Sequence, residues 1–298
     1  EQLNKVASNY RITGRFEEGE SLLLRALAIG EGSLGSEHPN VATWRNNLAL
    51  LYQCFGRYRD AEELLVRALE TSKRVLGPEH PTVATQLNNL ALLYQEIGRY
   101  FAAESLLKSA LAISETCLGT KHHELAIRCS NLGLLYQEVG RCTEAEGLFL
   151  RALAITERAF GPQHPDLATH HNNLAILYQQ TGRYVAANRF FTRALAVDKK
   201  FLGPDHPMVA IRLNNLALLH QQTGQYAVAK PLFESAQVII EKSLGPNHPA
   251  VATQLNNLAL LHQQMGQYTV AEPLFASALS VCEKSLGPNH PAVATQLN

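Results

Sequence analysis

Hydrophobic positions along the chain recur in the same order every 42 residues. Residues 77–118 show the pattern clearly, because two apolar stripes there have the three-and-four spacing of a helix face. The first stripe is Val83, Ala84, Leu87, Leu90, Ala91 and Tyr94. The second is Tyr100, Ala103, Leu106, Leu107, Ala110, Leu111 and Ser114. Each repeat is therefore predicted to contain two antiparallel helices, A and B, and no segment has the alternation of a strand.

Proline and glycine mark the predicted helix ends. Pro81 suits the first position of helix A, where a missing N–H is not needed. Gly98 suits the left-handed residue that ends helix A, and Leu118-Gly119 stops helix B. Each helix is then about 17 residues, or about 25 Å, long. The pair His-Pro, or a variant of it, returns in every repeat, at His38, His80, His122, His164, His206, His248 and His290.

One helix pair cannot bury both of its faces, so the repeats are expected to stack. Alanine recurs where the two helices cross, as at Ala91 and Ala103, and permits close backbone approach. The period predicts a single array across residues 1–298. Its parts are a partial repeat at 1–34, complete repeats at 35–76, 77–118, 119–160, 161–202, 203–244 and 245–286, and the start of another at 287–298. Because the chain begins and ends inside a repeat, it is expected to be a piece of a longer protein.

The order Asn-Leu-Ala-x-x-Tyr, Gly-x-Tyr-x-x-Ala and a final Ala-Leu resembles the tetratricopeptide repeat. The 42-residue length and the Leu-Gly-Pro-x-His-Pro connector, best seen in residues 76–94, are similar to the repeats of kinesin light chains and of related bacterial and cyanobacterial arrays. The resemblance covers essentially the whole chain. It implies an all-α, right-handed superhelical solenoid of antiparallel helix pairs. It also implies that helix A lines a concave groove that binds segments of other proteins.

Composition narrows the possible partners and compartment. The chain has 26 Lys and Arg against 26 Asp and Glu, so no overall positive field would attract nucleic acid or an anionic membrane. No apolar run approaches the length of a membrane span. Five scattered cysteines without a Cys-x-x-Cys pair indicate reduced thiols, which favours a cytoplasmic protein.

The motifs that could carry chemistry fail on context. Gly30, Gly32 and Gly35 match a dinucleotide-binding spacing, but they close a helix and do not follow a strand. His123-Glu124 begins like a zinc-protease helix, but Ile127 stands where the second His is needed. The connector histidines are predicted to cap or pack against helix A. No nucleophile has a base and an orienting group at a suitable spacing. We therefore expect no enzyme activity, no cofactor and no metal.

The face of helix A opposite the apolar stripe is the candidate binding surface. Three positions form it, and each recurs along the array. They are an asparagine (Asn47, Asn89, Asn131, Asn173, Asn215, Asn257), an aliphatic residue (Leu50, Leu92, Leu134, Ile176, Leu218, Leu260) and a glutamine (Gln53, Gln95, Gln137, Gln179, Gln221, Gln263). Asparagine is a poor helix former, so its recurrence indicates a use for its amide. The amides either join neighbouring repeats or bind the backbone of an extended peptide; the first asparagine, at Asn46 and its equivalents, is the more structural of the two.

Variable positions on helix A would set the preference for a ligand. They include Trp44, Arg128, His170 and Arg212, and the acidic Glu96, Glu124, Glu138 and Asp166. Arginine follows the glycine of helix A at Arg57, Arg99, Arg141 and Arg183, whereas Gln225 and Gln267 replace it later. An acidic peptide would then favour the N-terminal part.

The leading hypothesis is a scaffold or cargo adaptor for a protein or peptide ligand. The alternatives are the regulatory sensor array of a larger signalling protein and a spacer that binds nothing. Truncated repeats at both ends would permit weak end-to-end self-association.

Overall fold

The computed structural model describes residues 16–119 and 122–286, and within them it contains thirteen α-helices and no strand. We number these helices α1 to α13. Their bounds are α1 Phe16–Leu34, α2 Pro39–Cys54, α3 Tyr58–Leu76, α4 Pro81–Glu96, α5 Tyr100–Leu118, α6 Glu124–Glu138, α7 Cys142–Phe160, α8 Asp166–Gln180, α9 Tyr184–Leu202, α10 Pro207–Gln222, α11 Tyr226–Leu244, α12 Pro249–Gln264 and α13 Tyr268–Leu286. The even-numbered helices are the A helices and the odd-numbered ones are the B helices. The predicted all-α repeat solenoid is confirmed.

The connector histidine fixes the start of the A helices. His80 has extended backbone and its Nδ1 accepts the backbone N–H of Thr82 at 3.1 Å, while Pro81 occupies the first helical position. His38, His206 and His248 cap their helices in the same way. These contacts confirm the capping role for His38, His80, His206 and His248; His290 lies outside the described residues. At α6 and α8 the helix begins later, at Glu124 and Asp166, whose N–H groups lie 3.3 Å from Nδ1 of His122 and His164.

Glycine ends each A helix as the sequence predicts. Gly98 has φ of 76°, a region that a residue with a Cβ rarely adopts. The chain reversal lets the N–H of Arg99 reach the carbonyl of Tyr94 at 2.7 Å, which satisfies an otherwise unpaired helix-end carbonyl. Helix B then starts at once, antiparallel to helix A.

The chain forms two compact units, Glu1–Ile155 and Thr156–Asn298, and the boundary between them falls inside α7. Within each unit, an A helix packs against the B helices that precede and follow it. The core of the first unit includes fully buried Leu48, Ala49, Leu65 and Leu93, and that of the second includes Ala217, Phe233 and Leu261. Burial of these stripes against the next repeat, more than helix propensity, stabilises the array.

The first part of the partial repeat at 1–34 and the start of a repeat at 287–298 lie outside the described residues. The expected self-association through those ends therefore stays a prediction. The B helices end at Leu34, Leu76 and each 42nd residue thereafter, so the helix ends keep the period of the sequence.

Candidate functional site: the outer face of the A helices

The A helices present the predicted face to solvent. In α2, Leu48, Ala49 and Tyr52 are buried, whereas Thr43 and Cys54 on the opposite side are exposed. The aliphatic position between them is 36–38% exposed at Leu134, Leu218 and Leu260. It is half-buried at Leu50, Leu92 and Ile176. Each A helix thus exposes one aliphatic side chain near its middle, on the same face in every repeat.

The asparagines join consecutive repeats. The second asparagine of one repeat donates through Nδ2 to Oδ1 of the first asparagine in the preceding repeat. In the first unit Asn89 donates to Asn46 at 3.0 Å and Asn131 to Asn88 at 2.9 Å. In the second unit Asn215 donates to Asn172 at 2.9 Å and Asn257 to Asn214 at 2.7 Å. We call this row the asparagine ladder. It gives the second asparagine a structural role that its sequence position alone did not reveal.

The glutamines form a second row of contacts in the opposite direction along the chain. Gln53 and Gln95 donate through Nε2 to the carboxylates of Glu96 and Glu138 in the following repeat, at 2.6 and 2.7 Å. In the second unit Gln179 and Gln221 donate instead to the amide oxygens of Gln222 and Gln264, at 2.8 and 3.0 Å. We call this row the glutamine ladder. Its acceptors are charged in the first unit and neutral in the second.

The carboxylates of the glutamine ladder have a second partner. Tyr58 and Tyr100, the first residues of α3 and α5, donate to Glu96 and Glu138 at 2.9 and 2.8 Å. These hydrogen bonds raise the pKa of both tyrosines, since ionising a phenol beside a carboxylate is unfavourable. In the second unit Gln222 donates weakly to Tyr184 across 3.4 Å.

The arginines after the helix A glycines are neutralised by carboxylates. Arg57, Arg99 and Arg141 lie 2.7–2.9 Å from Glu20, Glu62 and Glu104 of the preceding B helix. Each guanidinium also lies over a tyrosine ring of its own repeat, at Tyr52, Tyr94 and Tyr136. The basic rim expected from the sequence is therefore largely compensated at these three positions, and it gives little reason for an acidic peptide to prefer the first unit.

Glu104 shows how tightly one of these carboxylates is held. It accepts from Lys108 at 2.7 Å, from Arg141 at 2.8 Å and from the hydroxyl of Tyr136 at 2.9 Å. The hydrogen bond from Lys108, and then that from Arg141, lowers the pKa of Glu104 to about 2. The cluster therefore stays ionised at every pH at which the protein is normally handled.

The second unit keeps Tyr178 and Arg183 in its first repeat and replaces these residue types in the next two repeats. His220 and His262 stand at the tyrosine position, and Gln225 and Gln267 at the arginine position. Nδ1 of each histidine lies 2.8 and 2.6 Å from the glutamine oxygen. The same positions that carry ion pairs in the first unit carry histidine–glutamine hydrogen bonds here.

Three variable positions expected to face a ligand are buried between helices. Arg128, His170 and Arg212 are each no more than 6% exposed, so the prediction that they set ligand preference is wrong. Each contacts the residue fourteen positions earlier, on the preceding B helix. Arg128 donates to Ser114 at 2.5 Å, His170 and Thr156 share a hydrogen bond of 2.9 Å, and Arg212 donates to Asp198 at 2.8 Å. We call this pair of positions the interhelix slot.

Other repeats fill the interhelix slot differently. Gly30 lies opposite Trp44, and a Cβ on Gly30 would collide with the indole. Ser72 and Gln86 occupy the two positions in another repeat, and Ile240 and Gln254 occupy them in the last described one; all four are buried. The covariation of positions fourteen residues apart was a readable signal: small residues precede large side chains, and Asp precedes Arg.

The described residues offer few groups for other chemistry. His122, His123 and Glu124 have ligand atoms within 4.8 Å of one another, the one such group among them. Nδ1 of His122 already accepts the N–H of Glu124, and Arg128 lies 3.5 Å from the Glu124 carboxylate. A cation would have to compete with both. All five cysteines are free, and burial raises the pKa of Cys129 to about 11, so its thiol is inert.

None of the helices in the described residues is both long and apolar enough to cross a membrane.

Helix pairs of fixed length, capped alike and joined by ladders between neighbours, define an all-α repeat solenoid whose surface suits protein partners. Family models described as "Tetratricopeptide repeat" match residues 2–74, 56–116, 123–200, 189–237, 211–268 and 251–292. The chain belongs to the tetratricopeptide-repeat family.

Solved structures show the same fold. BtubC (BKLC) from P. vanneervenii is 24% identical over 78% of this chain and 94% of its own, with a TM-score of 0.67. A putative kinesin light chain with nearly identical TPR-like repeats from Podosopora anserina is 29% identical over 67% of this chain and 94% of its own, with a TM-score of 0.56. A tetratricopeptide repeat protein from Parabacteroides merdae is 20% identical over 99% and 96%, with a TM-score of 0.62. A search of the curated proteins found no match.

Proposed function

We propose that the chain is a protein-interaction scaffold that binds an extended peptide segment along the outer face of its A helices. The observation that carries the proposal is the exposed aliphatic position, which returns at Leu134, Leu218 and Leu260 in a row of otherwise polar, half-buried side chains. An aliphatic side chain that is exposed in three repeats and half-buried at the same place in the other three has no structural use for its exposure. It does give a peptide a regularly spaced set of apolar contacts.

The polar side chains beside this row are held in place before a ligand arrives. The second asparagine of a ladder pair, such as Asn215 or Asn257, donates one N–H to the preceding repeat. Its side chain is half-buried, and its amide also carries an oxygen and a second N–H. Ordering these side chains in the free protein lowers the entropy lost on binding. The asparagines and glutamines of the A helices therefore serve both the packing of repeats and contact with a peptide backbone.

Two exposed isoleucines extend the apolar surface. Ile127 and Ile211 lie seven residues before Leu134 and Leu218, hence two turns away on the same face, and are 55% and 44% exposed. Most other repeats have threonine at this position, as at Thr85 and Thr253. A ligand with bulky apolar side chains would favour α6 and α10 for this reason.

The more specific scaffold function that we propose is that of a cargo adaptor, as the likeness to kinesin light chain-type repeats suggests. The five free cysteines support a cytoplasmic location, where thiols stay reduced. The second candidate function, a sensor array within a larger signalling protein, uses the same surface. Full-length flanking sequence would decide between them: upstream heptads indicate an adaptor and a nucleotide-binding domain indicates a sensor.

The test begins by selecting 12-residue peptides from a random phage library against the intact chain. Their affinity for Leu218→Gln with Leu260→Gln is then measured by fluorescence anisotropy. Both leucines are exposed in the second unit, so folding should be retained, and loss of two partly buried contacts should weaken binding at least tenfold. The control is Val238→Gln, an equally apolar but more exposed site on α11. Unchanged affinity, or equal weakening by the control, would exclude the proposed face.

The asparagine ladder needs a separate measurement. Replacing Asn215 and Asn257 by Ala removes two inter-repeat hydrogen bonds, which should cost about 0.5–1.5 kcal/mol each in stability. If the amides also contact the peptide, affinity should fall under conditions where circular dichroism shows the variant to be folded. Lower stability with unaltered affinity would restrict the ladder to a structural role.

A further inference from the structure

A second surface, on the B helix α9, carries a row of exposed cations without carboxylate partners in the described part of the chain. Arg189, Arg193, Lys199 and Lys200 are all exposed. No carboxylate of the described residues lies within ion-pair distance of any of the four. Asp198, the nearest acid in sequence, is buried and paired with Arg212 at 2.8 Å. We call these four residues the α9 basic surface.

The equivalent positions in the first unit show that this charge is not a feature of the repeat. Three repeats earlier, α3 carries Glu63, Arg67, Glu70, Lys73 and Arg74, and the connector before α2 carries Glu37. Glu63 pairs with Arg67 at 2.7 Å and Glu37 pairs with Arg74. In the second unit those three acids are replaced by Arg189, Ala196 and Gln163. Arg193, Lys199 and Lys200 keep the cations of Arg67, Lys73 and Arg74, whereas none of the three acids has an acidic counterpart.

Geometry brings the α9 cations to one side of the helix. Arg189, Arg193 and Lys200 fall within about 40° of one another at 100° per residue, and they span about 16 Å along the axis. Lys200 contacts the side chain of Gln163, as Arg74 contacts Glu37 in the first unit. In that unit Glu37, Arg67, Glu70, Lys73 and Arg74 line one surface cleft. In the second unit α9 ends at the equivalent residue, Leu202, whereas the connector differs in that α8 begins at Asp166, one residue later in the repeat than α2.

Packing also restrains the two arginines. Their guanidinium carbons lie 5.7 and 5.8 Å from the ring centroid of Phe190, which is itself buried. A cation held near an aromatic ring loses less side-chain entropy when it binds a carboxylate. The two lysines in the last turn are favourable near the negative end of the helix. That effect does not account for Arg189 and Arg193, which lie two or more turns earlier.

From this juxtaposition we propose that the α9 basic surface docks an acidic segment of a partner protein. The charge is local, since the chain as a whole is neutral, and it lies on a B helix, away from the face proposed for the peptide ligand. Val185 is one turn before Arg189 and is 89% exposed, so the surface offers an apolar contact at one end. Side chains of an acidic peptide match both features, whereas a phosphodiester backbone matches the cations alone.

The test restores the missing carboxylates without touching a cation. Gln163→Glu with Ala196→Glu copies the arrangement around α3, and both positions are exposed, so the fold should be kept. The probe is fluorescein-labelled octaglutamate, measured by anisotropy at about 50 mM NaCl, where the Debye length exceeds 10 Å. The control, Val238→Glu with Asn247→Glu, adds the same charge at positions equivalent to Ala196 one repeat later and to Gln163 two repeats later, because the intervening equivalent of Gln163 is already Asp205.

We expect octaglutamate to bind the parent chain, to bind the restored variant at least tenfold more weakly, and to bind the control within twofold of the parent. The reciprocal variant, Glu37→Gln with Glu63→Arg and Glu70→Ala, should create a second site and raise the stoichiometry from one to two. Leu218→Gln with Leu260→Gln should leave octaglutamate binding unchanged, which separates this surface from the peptide face.

Three results would overturn the proposal. The first is no binding of octaglutamate, and the second is equal loss in the restored and control variants. The third is that labelled octauridylate, or vesicles containing phosphatidylserine, bind more tightly than octaglutamate and depend more strongly on the α9 basic surface. That result would assign the surface to nucleic acid or membrane. If circular dichroism shows the restored variant to be unfolded, Lys199→Gln with Lys200→Gln gives the same expected weakening and decides the matter.

Discussion

The two units use the same backbone positions to join their repeats but different chemistry. In the first unit the glutamine ladder ends on Glu96 and Glu138, and Arg99 and Arg141 pair with carboxylates of the preceding B helix. In the second unit the corresponding acceptors are Gln222 and Gln264, and histidine–glutamine contacts replace the arginine clusters. The ladder distances differ little, from 2.6 to 3.0 Å. Repeat geometry therefore does not require charge at these positions.

The difference should appear in how each unit responds to solution conditions. Exposed ion pairs contribute little and are screened by salt, whereas neutral hydrogen bonds are not. The interhelix slot shows the opposite trend, because its ion pair, Arg212 with Asp198, is buried in the second unit. Its equivalent in the first unit, Arg128 with Ser114, has one charged member. The second unit thus has the uncharged glutamine ladder and the more charged interhelix slot.

The largest effect should come from breaking the buried pair. Asp198→Ala leaves Arg212 buried without its carboxylate and should cost about 3–5 kcal/mol, whereas Ser114→Ala removes one hydrogen bond from Arg128 and should cost about 1 kcal/mol. Urea unfolding combined with hydrogen exchange in each unit measures both. Asp198→Ile with Arg212→Gln, which copies Ile240 and Gln254, should recover most of the loss. Equal costs for Asp198→Ala and Ser114→Ala would refute the contrast between the slots.

Acid should weaken the second unit first, through His171. Burial, and then the charges of Arg193 and His170, lower the pKa of His171 to about 4 from an ordinary value of 6.5. The unfolded chain therefore binds the proton more readily, and stability falls as pH drops from about 6.5 to about 4, by roughly 2–3 kcal/mol in all. Glu104 in the first unit has a pKa of about 2 and therefore stays ionised over this pH range.

Other repeats have leucine at the position of His171, as at Leu87 and Leu213, so His171→Leu is a natural test. We expect it to flatten the stability profile of the second unit between pH 6.5 and 4.5, as followed by hydrogen exchange at each pH. A profile that keeps its slope would show that His170, whose pKa burial also lowers, or another group is responsible.

Neutralising the glutamine ladder in the first unit should have an intermediate effect. In the parent chain Gln95 and Tyr100 donate charge-assisted hydrogen bonds to Glu138. Glu138→Gln removes the charge, weakens both hydrogen bonds and should lower the free energy of unfolding by about 1 kcal/mol. The reverse change, Gln222→Glu, should add a similar amount if the ladders are equivalent. Melting temperatures of the two variants, compared with the parent chain, test this symmetry; opposite signs from those expected would show that local context outweighs the ladder.

The smallest effect should come from the exposed clusters. Arg99→Gln, which copies Gln225, removes the ion pair with Glu62 and should cost no more than about 1 kcal/mol. The cost should shrink as NaCl rises from about 50 mM to 1 M, because the Debye length falls to about 3 Å. A salt-independent loss would instead point to the packing of Arg99 on Tyr94.

Much of the fold followed from local sequence signals. The 42-residue period, the prolines at helix starts and the glycines at helix ends correctly predicted helix pairs, because capping and chain reversal depend on a few adjacent residues. The buried face of helix A was also predictable, since Leu48, Ala49 and Tyr52 share one side at 100° per residue.

The partners of individual polar residues were not predictable from position alone. Arg128, His170 and Arg212 are polar, and a single helix cannot show that a B helix fourteen residues earlier covers them. The carboxylates that neutralise Arg57 and Arg99 lie 37 residues away, one repeat back. The second asparagine is turned toward the preceding repeat for the same reason.

For this protein, the sequence by itself determined the repeat, the helix ends and the apolar stripes, since each depends on interactions within a few turns of chain. Tertiary structure alone decided which amides, ion pairs and exposed cations remain available, because a polar group's partner comes from whichever neighbouring repeat packs against it. The α9 basic surface became visible in this way. Its cations are ordinary in the sequence, and their lack of partners follows from the three carboxylate positions that Gln163, Arg189 and Ala196 now occupy.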